Sequence, residues 1–140
     1  MSAKFFLDTN ILVYSFASNQ PAKQKKAISL IGEALEEGAG IVSYQVVQEF
    51  LNVALHKFEK PMTQDQTHDY YEGVLGPLCS IYPDPDLYRK ALRLKHETGY
   101  RFYDSLILAS ALEGHCKVLY SEDFQDGHKI SGLTVQNPFK

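Results

Sequence analysis

The chain has 140 residues, of which 44% are hydrophobic and 22% charged, and its formal net charge is −3. This length fits one domain spanning residues 1–140, and the apolar content is enough for a core, which argues against disorder. The weakly negative charge argues against a protein that simply coats nucleic acid, because such proteins usually carry a basic balance.

The start of the chain and its two cysteines indicate where the protein works. Residues 1–4 lead directly into an apolar run without a hydrophobic leader, so we expect no signal peptide. No apolar run is long enough to cross a bilayer, so no membrane association is expected. Cys79 and Cys116 lack metal or redox spacing and predict free thiols. We therefore expect a cytoplasmic protein.

Strands and helices alternate along the sequence. In the first part, the predicted elements are a strand at 4–7, a short helix from 11, a helix at 22–37, a strand at 41–42 and a helix that begins after Ser43 and ends before Pro61. In the second part they are a helix at 63–75 broken by Gly76-Pro77, a strand at 80–82, helices at 85–97 and 104–112, and strands at 118–120 and 133–135. This alternation predicts an α/β protein with a mostly parallel sheet and helices on both faces.

Helical spacing also predicts which side chains enter the core. Three helices have such apolar stripes. Their predicted core positions are Ala27, Leu30, Ile31, Ala34 and Leu35, then Val47, Phe50, Leu51, Ala54, Leu55 and Phe58, and finally Leu87, Tyr88, Ala91, Leu92 and Leu94.

Four acidic residues lie where apolar or helical segments begin or end, and they are the most informative feature of the chain. Asp8 and Asp123 directly follow predicted strands, whereas Glu49 and Asp104 lie in the first half-turns of predicted helices. Ligand sites of parallel α/β sheets gather beyond the carboxyl ends of the strands, so these acids can share one crevice. Carboxylates are costly to bury unless something pairs with them, and Mg²⁺ and Mn²⁺ prefer such oxygen ligands. The pattern predicts a metal site suited to phosphodiester chemistry.

Each acid also has an ordinary structural interpretation. Asp8 can cap the helix that follows it, and Glu49 can belong to a capping box at the start of its own helix. Asp104 can stabilise the helix dipole, and Asp123 can be a turn residue. Glu122 is a rival to Asp123 as a ligand and Asp126 a weaker one, so the residue pattern leaves the identity of the fourth ligand open.

Four segments that contain these acids together resemble the signature blocks of the PIN-domain nucleases. The segments are FLDTNIL at 6–12, QEF at 48–50, YDSLILASA at 103–111 and LYSEDF at 119–124. Their order and spacing cover essentially the whole chain, and the first and third are the most specific. The chain most resembles the VapC-like toxins of VapBC toxin–antitoxin systems.

The resemblance implies a three-layer α/β/α fold with a central, mainly parallel five-stranded sheet. It also implies an Mg²⁺- or Mn²⁺-dependent endoribonuclease that hydrolyses RNA phosphodiester bonds as the toxin of a toxin–antitoxin pair. The family's catalytic, metal-binding acids fall on Asp8, Glu49, Asp104 and Asp123, and its helper polar positions fall on Asn10 and Ser121. By the same resemblance we expect an antitoxin partner and a homodimer.

Two other functions are compatible with an acid after the first strand. A phosphotransfer module of the receiver or phosphatase type also binds Mg²⁺ there, although a phosphatase would have a second Asp where this chain has Asn10. A catalytically silent PIN scaffold that binds only protein or RNA is the other, and the presence of all four acids speaks against it. Candidate contacts to RNA are basic residues, namely Lys23, Lys25, Lys26, Arg89, Lys90, Arg93, Lys95 and Arg101.

Overall fold

The structure is a computed structural model, and it describes residues 4–140. The expectation about a leader at residues 1–3 lies outside this range. A single sheet forms the centre of the fold, with strand order β3-β2-β1-β4-β6-β5. The strands are β1 Phe5–Leu7, β2 Gly40–Ser43, β3 Cys79–Ile81, β4 Val118–Tyr120, β5 Lys129–Ile130 and β6 Leu133–Gln136. All neighbouring strands pair in parallel except β5 and β6, which are antiparallel.

Helices connect the parallel strands, as the alternation predicts. They are α1 Thr9–Tyr14, α2 Pro21–Glu37, α3 Tyr44–His56, α4 Gln64–Tyr70, a π-helical turn Tyr71–Leu75, α5 Gly76–Leu78, α6 Pro85–Thr98 and α7 Phe102–Glu113. Among residues 4–140, none of these helices combines the length and the apolar character needed to span a membrane.

Both faces of the sheet are covered. All three residues of β1 are buried, and consecutive residues of a strand point to opposite faces, so packed side chains must lie on each side. The predicted α/β fold with a mostly parallel central sheet is confirmed. The predicted number of five strands is wrong, because the described residues form six.

The additional strand is the short β5, which forms a hairpin with β6 at the edge of the sheet. Its two residues carry only one apolar side chain, Ile130, so it has no strand pattern that sequence analysis could detect. The connecting residues Ser131 and Gly132 have φ angles of 50° and 87°, the left-handed conformation that tight hairpin turns require.

The predicted break at Gly76-Pro77 is also wrong. The helical conformation continues from α4 through the π-helical turn and α5, with Pro77 in the first turn of α5. In the wider turn, the amide of Gly76 bonds to the carbonyl of Tyr71. This changed hydrogen-bond pattern accommodates a proline, which lacks an N–H and would clash inside a regular α-helix.

The predicted helix faces are correct at their centres and wrong at their edges. Leu35, Leu55, Tyr88 and Leu92 are 38–58% exposed rather than part of the core. In α3 the buried residues are Gln45, Val46, Phe50 and Ala54, so the buried face extends to the start of the helix and leaves out Leu55 near its end.

Candidate active site

Asp8 lies at the carboxyl end of β1, where the strand leaves the core. Its side chain is only 6% exposed. One carboxylate oxygen accepts a hydrogen bond from the Thr9 amide at 2.8 Å, and the other accepts one from the Ser121 hydroxyl at 2.7 Å. The structure therefore bears out the capping interpretation, and the same carboxylate also lines a cleft.

Glu49 lies in the second turn of α3, so its predicted position in the first half-turn is wrong. The capping-box interpretation is wrong too, since Ser43 is the N-cap residue but its side chain makes no capping hydrogen bond. Instead, the Thr9 hydroxyl donates to Oε1 of Glu49 at 2.6 Å, and Nε2 of Gln45 donates to Oε2 at 3.4 Å. These two donors hold the half-buried carboxylate toward Asp8.

Asp104 is the third residue of α7, as predicted for the first turn of a helix. The residues on its own helical face, Ile107 and Leu108, are buried, so the helix is anchored in the core next to the acid. Gln45 reaches this helix as well, because its Nε2 donates to the carbonyl of Tyr103 at 3.2 Å. One side chain of α3 thus contacts both Glu49 and the residue before Asp104.

The loop after β4 carries Ser121, Glu122 and Asp123, and it directs them to different places. The Ser121 hydroxyl accepts a hydrogen bond from the Asp123 amide at 3.1 Å while donating to Asp8. Nδ2 of Asn10 donates to both carboxylate oxygens of Asp123, at 3.2 and 3.4 Å. Glu122 instead accepts from the Tyr14 hydroxyl and pairs with Lys23. The geometry brings Asp123, and not Glu122, to the other three acids.

The four acids surround one cleft of about 340 Å³. Strands β1 and β4 end beside it, and helices α3 and α7 form its walls. Its lining residues are Asp8, Thr9, Asn10, Gln45, Glu49, Asn52, Val53, Lys57, Tyr103, Asp104, Ile107 and Asp123. The structure therefore brings the four predicted acids and Asn10 together, with Ser121 directly behind Asp8. Whether they act as ligands stays a prediction.

The electrostatics of the cleft disfavour so much negative charge. The pKa of Asp8 is raised to about 7, chiefly by burial and with smaller contributions from the charges of Asp123 and Glu49, although the hydrogen bonds from Ser121 and Thr9 lower it. The pKa of Asp104 is raised by burial, which outweighs the lowering effect of Arg101. Burial, followed by the charges of Asp104, Glu122 and Glu49, raises the pKa of Asp123.

No salt bridge neutralises these four acids in the described part of the chain. The salt bridges of residues 4–140 join Lys23 to Glu122, Arg89 to Asp86 and Lys90 to Glu113, so none of them reaches the four acids. A divalent cation with a preference for hard oxygen ligands fits such a donor set. As they stand, no three His, Cys, Asp or Glu side chains within residues 4–140 are arranged so that they could hold an ion.

Three residues of the cleft were missed by sequence analysis as site residues. Thr9 and Gln45 hold Glu49, and Lys57 supplies a positive charge at the cleft wall. Gln45 precedes Glu49 by four residues and therefore shares its helical face, a spacing that could have found it. Lys57 follows the last residue of α3, and nothing in the sequence distinguishes it from other surface lysines.

A parallel sheet with an oxygen-rich acidic cleft at its carboxyl edge defines a class of α/β protein suited to divalent cations. The PIN domain family model matches residues 5–126 of this chain. The chain therefore belongs to the PIN-domain family, a family of nucleases. No curated protein matches it significantly.

Several solved structures with the same fold are described as parts of toxin–antitoxin systems. A toxin–antitoxin complex from Klebsiella pneumoniae matches with a TM-score of 0.69 at 21% identity, covering 98% of each chain. The DNA-bound VapBC of Salmonella typhimurium matches at 0.64 and 16% identity, covering 96% of this chain and 98% of the other. VapC20 of Mycobacterium tuberculosis, a sarcin–ricin loop cleaving toxin, matches at 0.63 and 16% identity, covering 94% and 99%.

Proposed function

We propose that this protein is a divalent-metal-dependent endoribonuclease, with Mg²⁺ or Mn²⁺ as the ion and RNA as the substrate. It acts as one PIN-like domain, and it is the toxin of a toxin–antitoxin pair. The observation that carries the proposal is the cleft itself. Four carboxylates from four separate segments line it without a salt-bridge partner among residues 4–140, and buried Asp8 has a pKa raised to about 7. A bound cation would relieve the repulsion between these carboxylates.

Asp8 and Asp104 would be the principal metal ligands, with Glu49 and Asp123 completing the set. When bound, the ion lowers the pKa of a coordinated water and stabilises charge on the phosphate and the leaving oxygen. The protein's contribution is to orient its own carboxylates. The Ser121 hydroxyl and the Thr9 amide fix Asp8.

Glu49 and Asp123 are oriented by hydrogen bonds in the same way. Thr9 and Gln45 fix Glu49, while Nδ2 of Asn10 contacts Asp123. Such supporting hydrogen bonds commonly change metal affinity or activity by roughly 10- to 100-fold. No covalent intermediate on a side chain is needed.

Substrate contacts must come from local cations, because the whole chain is weakly acidic. Lys57 lines the cleft, and Arg101 is close enough to lower the pKa of Asp104. Both can reach a phosphate next to the acids. Lys23 and Lys90, two of the basic residues considered from sequence, are instead paired with Glu122 and Glu113.

Replacement of Asp104 by Asn tests the proposal. We expect RNA cleavage to fall by roughly 100-fold or more, because charge stabilisation in such sites is worth that much, while the fold persists. EDTA should stop cleavage by the wild type, and added Mn²⁺ should restore it. The matched control is Asp86→Asn on the surface of α6, which should cleave like the wild type.

Two results would contradict the proposal. Full activity of the Asp104→Asn variant would show that Asp104 takes no part in the reaction. Cleavage that persists in EDTA would show that the reaction needs no divalent metal. A protein that binds Mn²⁺ and RNA but cleaves nothing would be the silent scaffold considered above.

The remaining parts of the proposal rest on the family and on the solved toxin–antitoxin structures with this fold. We propose a small antitoxin encoded next to this chain, a homodimer and a cytoplasmic location. Co-expression with the neighbouring reading frame should relieve growth inhibition and yield a stable complex. Light scattering of the isolated chain measures the oligomeric state. A neighbouring protein without any effect on growth or binding would argue against the toxin role while leaving the nuclease intact.

A further inference from the structure

We propose that Tyr14, Lys23 and Phe139 are positioning residues that hold Glu122 and thereby fix the loop that carries Asp123. The proposal rests on the function proposed for the cleft, and it adds a device outside it. Neither the four acids nor their direct hydrogen-bond donors include these residues. They come from α1, from the start of α2 and from the end of the chain.

The contacts around Glu122 form a closed set. The Tyr14 hydroxyl donates to one oxygen of Glu122, and the Lys23 ammonium lies 3.3 Å from the other. Lys23 also donates to the Tyr14 hydroxyl at 3.2 Å, so each group contacts the other two. The Lys23 and Glu122 side chains are only 34% and 21% exposed. A partly buried, doubly bonded pair restrains its partners more than an exposed ion pair does.

The end of the chain closes this set from one side. The Phe139 ring packs edge-on against Tyr14, with ring centres 4.9 Å apart, and the Lys23 ammonium lies 5.4 Å from the Phe139 ring centre. Lys23 also lies 4.5 Å from the Tyr14 ring centre. Ammonium groups are attracted to aromatic faces at such distances. Phe139 therefore holds both donors of Glu122 in place.

A second attachment joins the loop after β4 to the end of the chain. The carboxylate of Asp126 accepts a hydrogen bond from the Asn137 amide at 2.8 Å, and the Asn137 side chain accepts one from the Phe139 amide at 2.9 Å. The loop from Ser121 to Asp126 is thus joined to the end of the chain directly through Asp126, and through Tyr14 and Lys23 at Glu122.

Asp123 needs this support because its own side chain is weakly held. Its hydrogen bonds to Asn10 are long, at 3.2 and 3.4 Å. Its position is therefore set by the backbone on either side of it. Glu122 is the residue directly before it, and a carboxylate fixed there limits how far the Asp123 backbone can move. This explains why two adjacent acids have opposite orientations and separate tasks.

The loop has a further anchor that does not involve Glu122. The amide of Gln125 donates to the Tyr100 hydroxyl at 3.3 Å, and Phe124 packs edge-on against the Tyr100 ring. We therefore expect a Glu122→Gln variant to fold. Its loop should be more mobile but should keep its contacts with Tyr100.

The experiment compares Glu122→Gln with Glu113→Gln. Each variant removes the charge of one partly exposed glutamate that pairs with a lysine, but Glu113 pairs with Lys90 between α7 and α6, away from the loop. Hydrogen exchange of residues 121–127 is measured without metal, Mn²⁺ affinity is measured by calorimetry on the protein alone, and RNA cleavage gives kcat and KM.

We expect faster exchange at residues 121–127 and about 10-fold weaker Mn²⁺ binding for Glu122→Gln, and no change for Glu113→Gln. In cleavage, kcat should fall while KM for RNA stays the same. Lys23→Arg should retain most of the wild-type behaviour, since it keeps a cation next to Glu122, whereas Lys23→Gln should resemble Glu122→Gln.

Two outcomes overturn the proposal. Exchange and Mn²⁺ affinity that are equal in the two Gln variants would show that Glu122 positions nothing. A loss of Mn²⁺ binding in Glu122→Gln as large as in Asp123→Asn, with unchanged exchange, would make Glu122 a ligand itself. Failure of the proposed function is distinguishable, because wild-type protein that cleaves no RNA leaves the exchange comparison intact.

Discussion

The buried carboxyl group of Asp8 gives the metal-free protein a specific dependence on pH. Its pKa is raised from 3.8 to about 7, so the folded state binds this proton more tightly than the unfolded state. Asp8 therefore contributes its full stability below about pH 4 and loses it as the pH rises through 7.

Asp8→Asn should abolish this decline, because an amide does not ionise. In EDTA at pH 8, we expect the variant to be more stable relative to the wild type than at pH 4, by up to about 4 kcal/mol. Urea unfolding at a series of pH values measures the difference. Asp69→Asn, on the exposed surface of α4, is the control and should follow the wild type. Parallel curves for wild type and Asp8→Asn would show that folding does not raise the pKa of Asp8.

Thr9 supports the site in a different way, by donating to Glu49 from 40 residues away along the chain. Thr9→Val keeps the shape of the side chain and removes the hydroxyl. We expect cleavage to fall by about 10-fold with a small loss of stability, because the carboxylate is no longer oriented. Thr67→Val removes a hydroxyl that bonds within α4 and should leave the rate unchanged. Equal rates for all three proteins would show that Thr9 does not orient Glu49 for the reaction.

At this scale the sequence predicts the acids better than their supports. Asp8 and Asp104 stand out because each adjoins residues that must be buried. Ser121 and Asn10 came from the family resemblance. Gln45 could have been found from its four-residue spacing to Glu49 on the same helix. Lys57 could not, because its role depends on which residues of other elements lie beside it at the cleft.

Among the elements, β2 and α2 pack so closely that the sequence at their contact is restricted to small residues. A Cβ atom built on Gly40 would lie 2.3 Å from Cβ of Ala34 and 2.7 Å from a ring carbon of Phe5. Gly40→Ala should therefore force the elements apart, at a cost of about 1–3 kcal/mol in the free energy of unfolding. Denaturant unfolding measures it.

Gly32 is the matched control, because it lies within α2 and a Cβ atom there would meet nothing within 4 Å. Gly32→Ala should stabilise the protein by up to about 1 kcal/mol through higher helix propensity. If both variants were stabilised, the two elements would have room to adjust.

The elements themselves could be predicted where their signals are local. Gly38 and Gly99 end α2 and α6 in the left-handed conformation, and Thr63 caps α4 with a capping box. The two elements that sequence analysis did not predict depend on contacts with other parts of the fold. The π-helical turn before Pro77 and the pairing of β5 both depend on neighbours that no local pattern contains.

Over the whole molecule, the order of the strands is what makes one site out of distant residues. β1 and β4 are parallel neighbours, so their carboxyl ends bring Asp8 next to Ser121, 113 residues further along the chain. The alternation of elements predicts this convergence in outline. It does not predict how tightly the acids gather, because that depends on side-chain hydrogen bonds.

The charge of the whole chain predicts how RNA binding depends on salt. With a net charge of −3, attraction to RNA has to come from the few cations at the cleft, chiefly Lys57 and Arg101. Each phosphate contact adds about 0.7 to the slope of log affinity against log salt for single strands, so a shallow slope near −1.4 is expected.

Lys57→Gln should lower the magnitude of this slope by about 0.7 and weaken binding similarly for all RNA sequences, as expected for a phosphate contact. Fluorescence anisotropy of the Asp104→Asn protein with a labelled single-stranded RNA measures binding without cleavage. Lys117→Gln removes an equal charge directly before β4, at the end of that strand opposite the cleft, and should leave the slope unchanged. If both lysine variants changed the slope equally, the salt dependence would reflect any change in the protein's charge, and Lys57 would not mark a specific contact with RNA at the cleft.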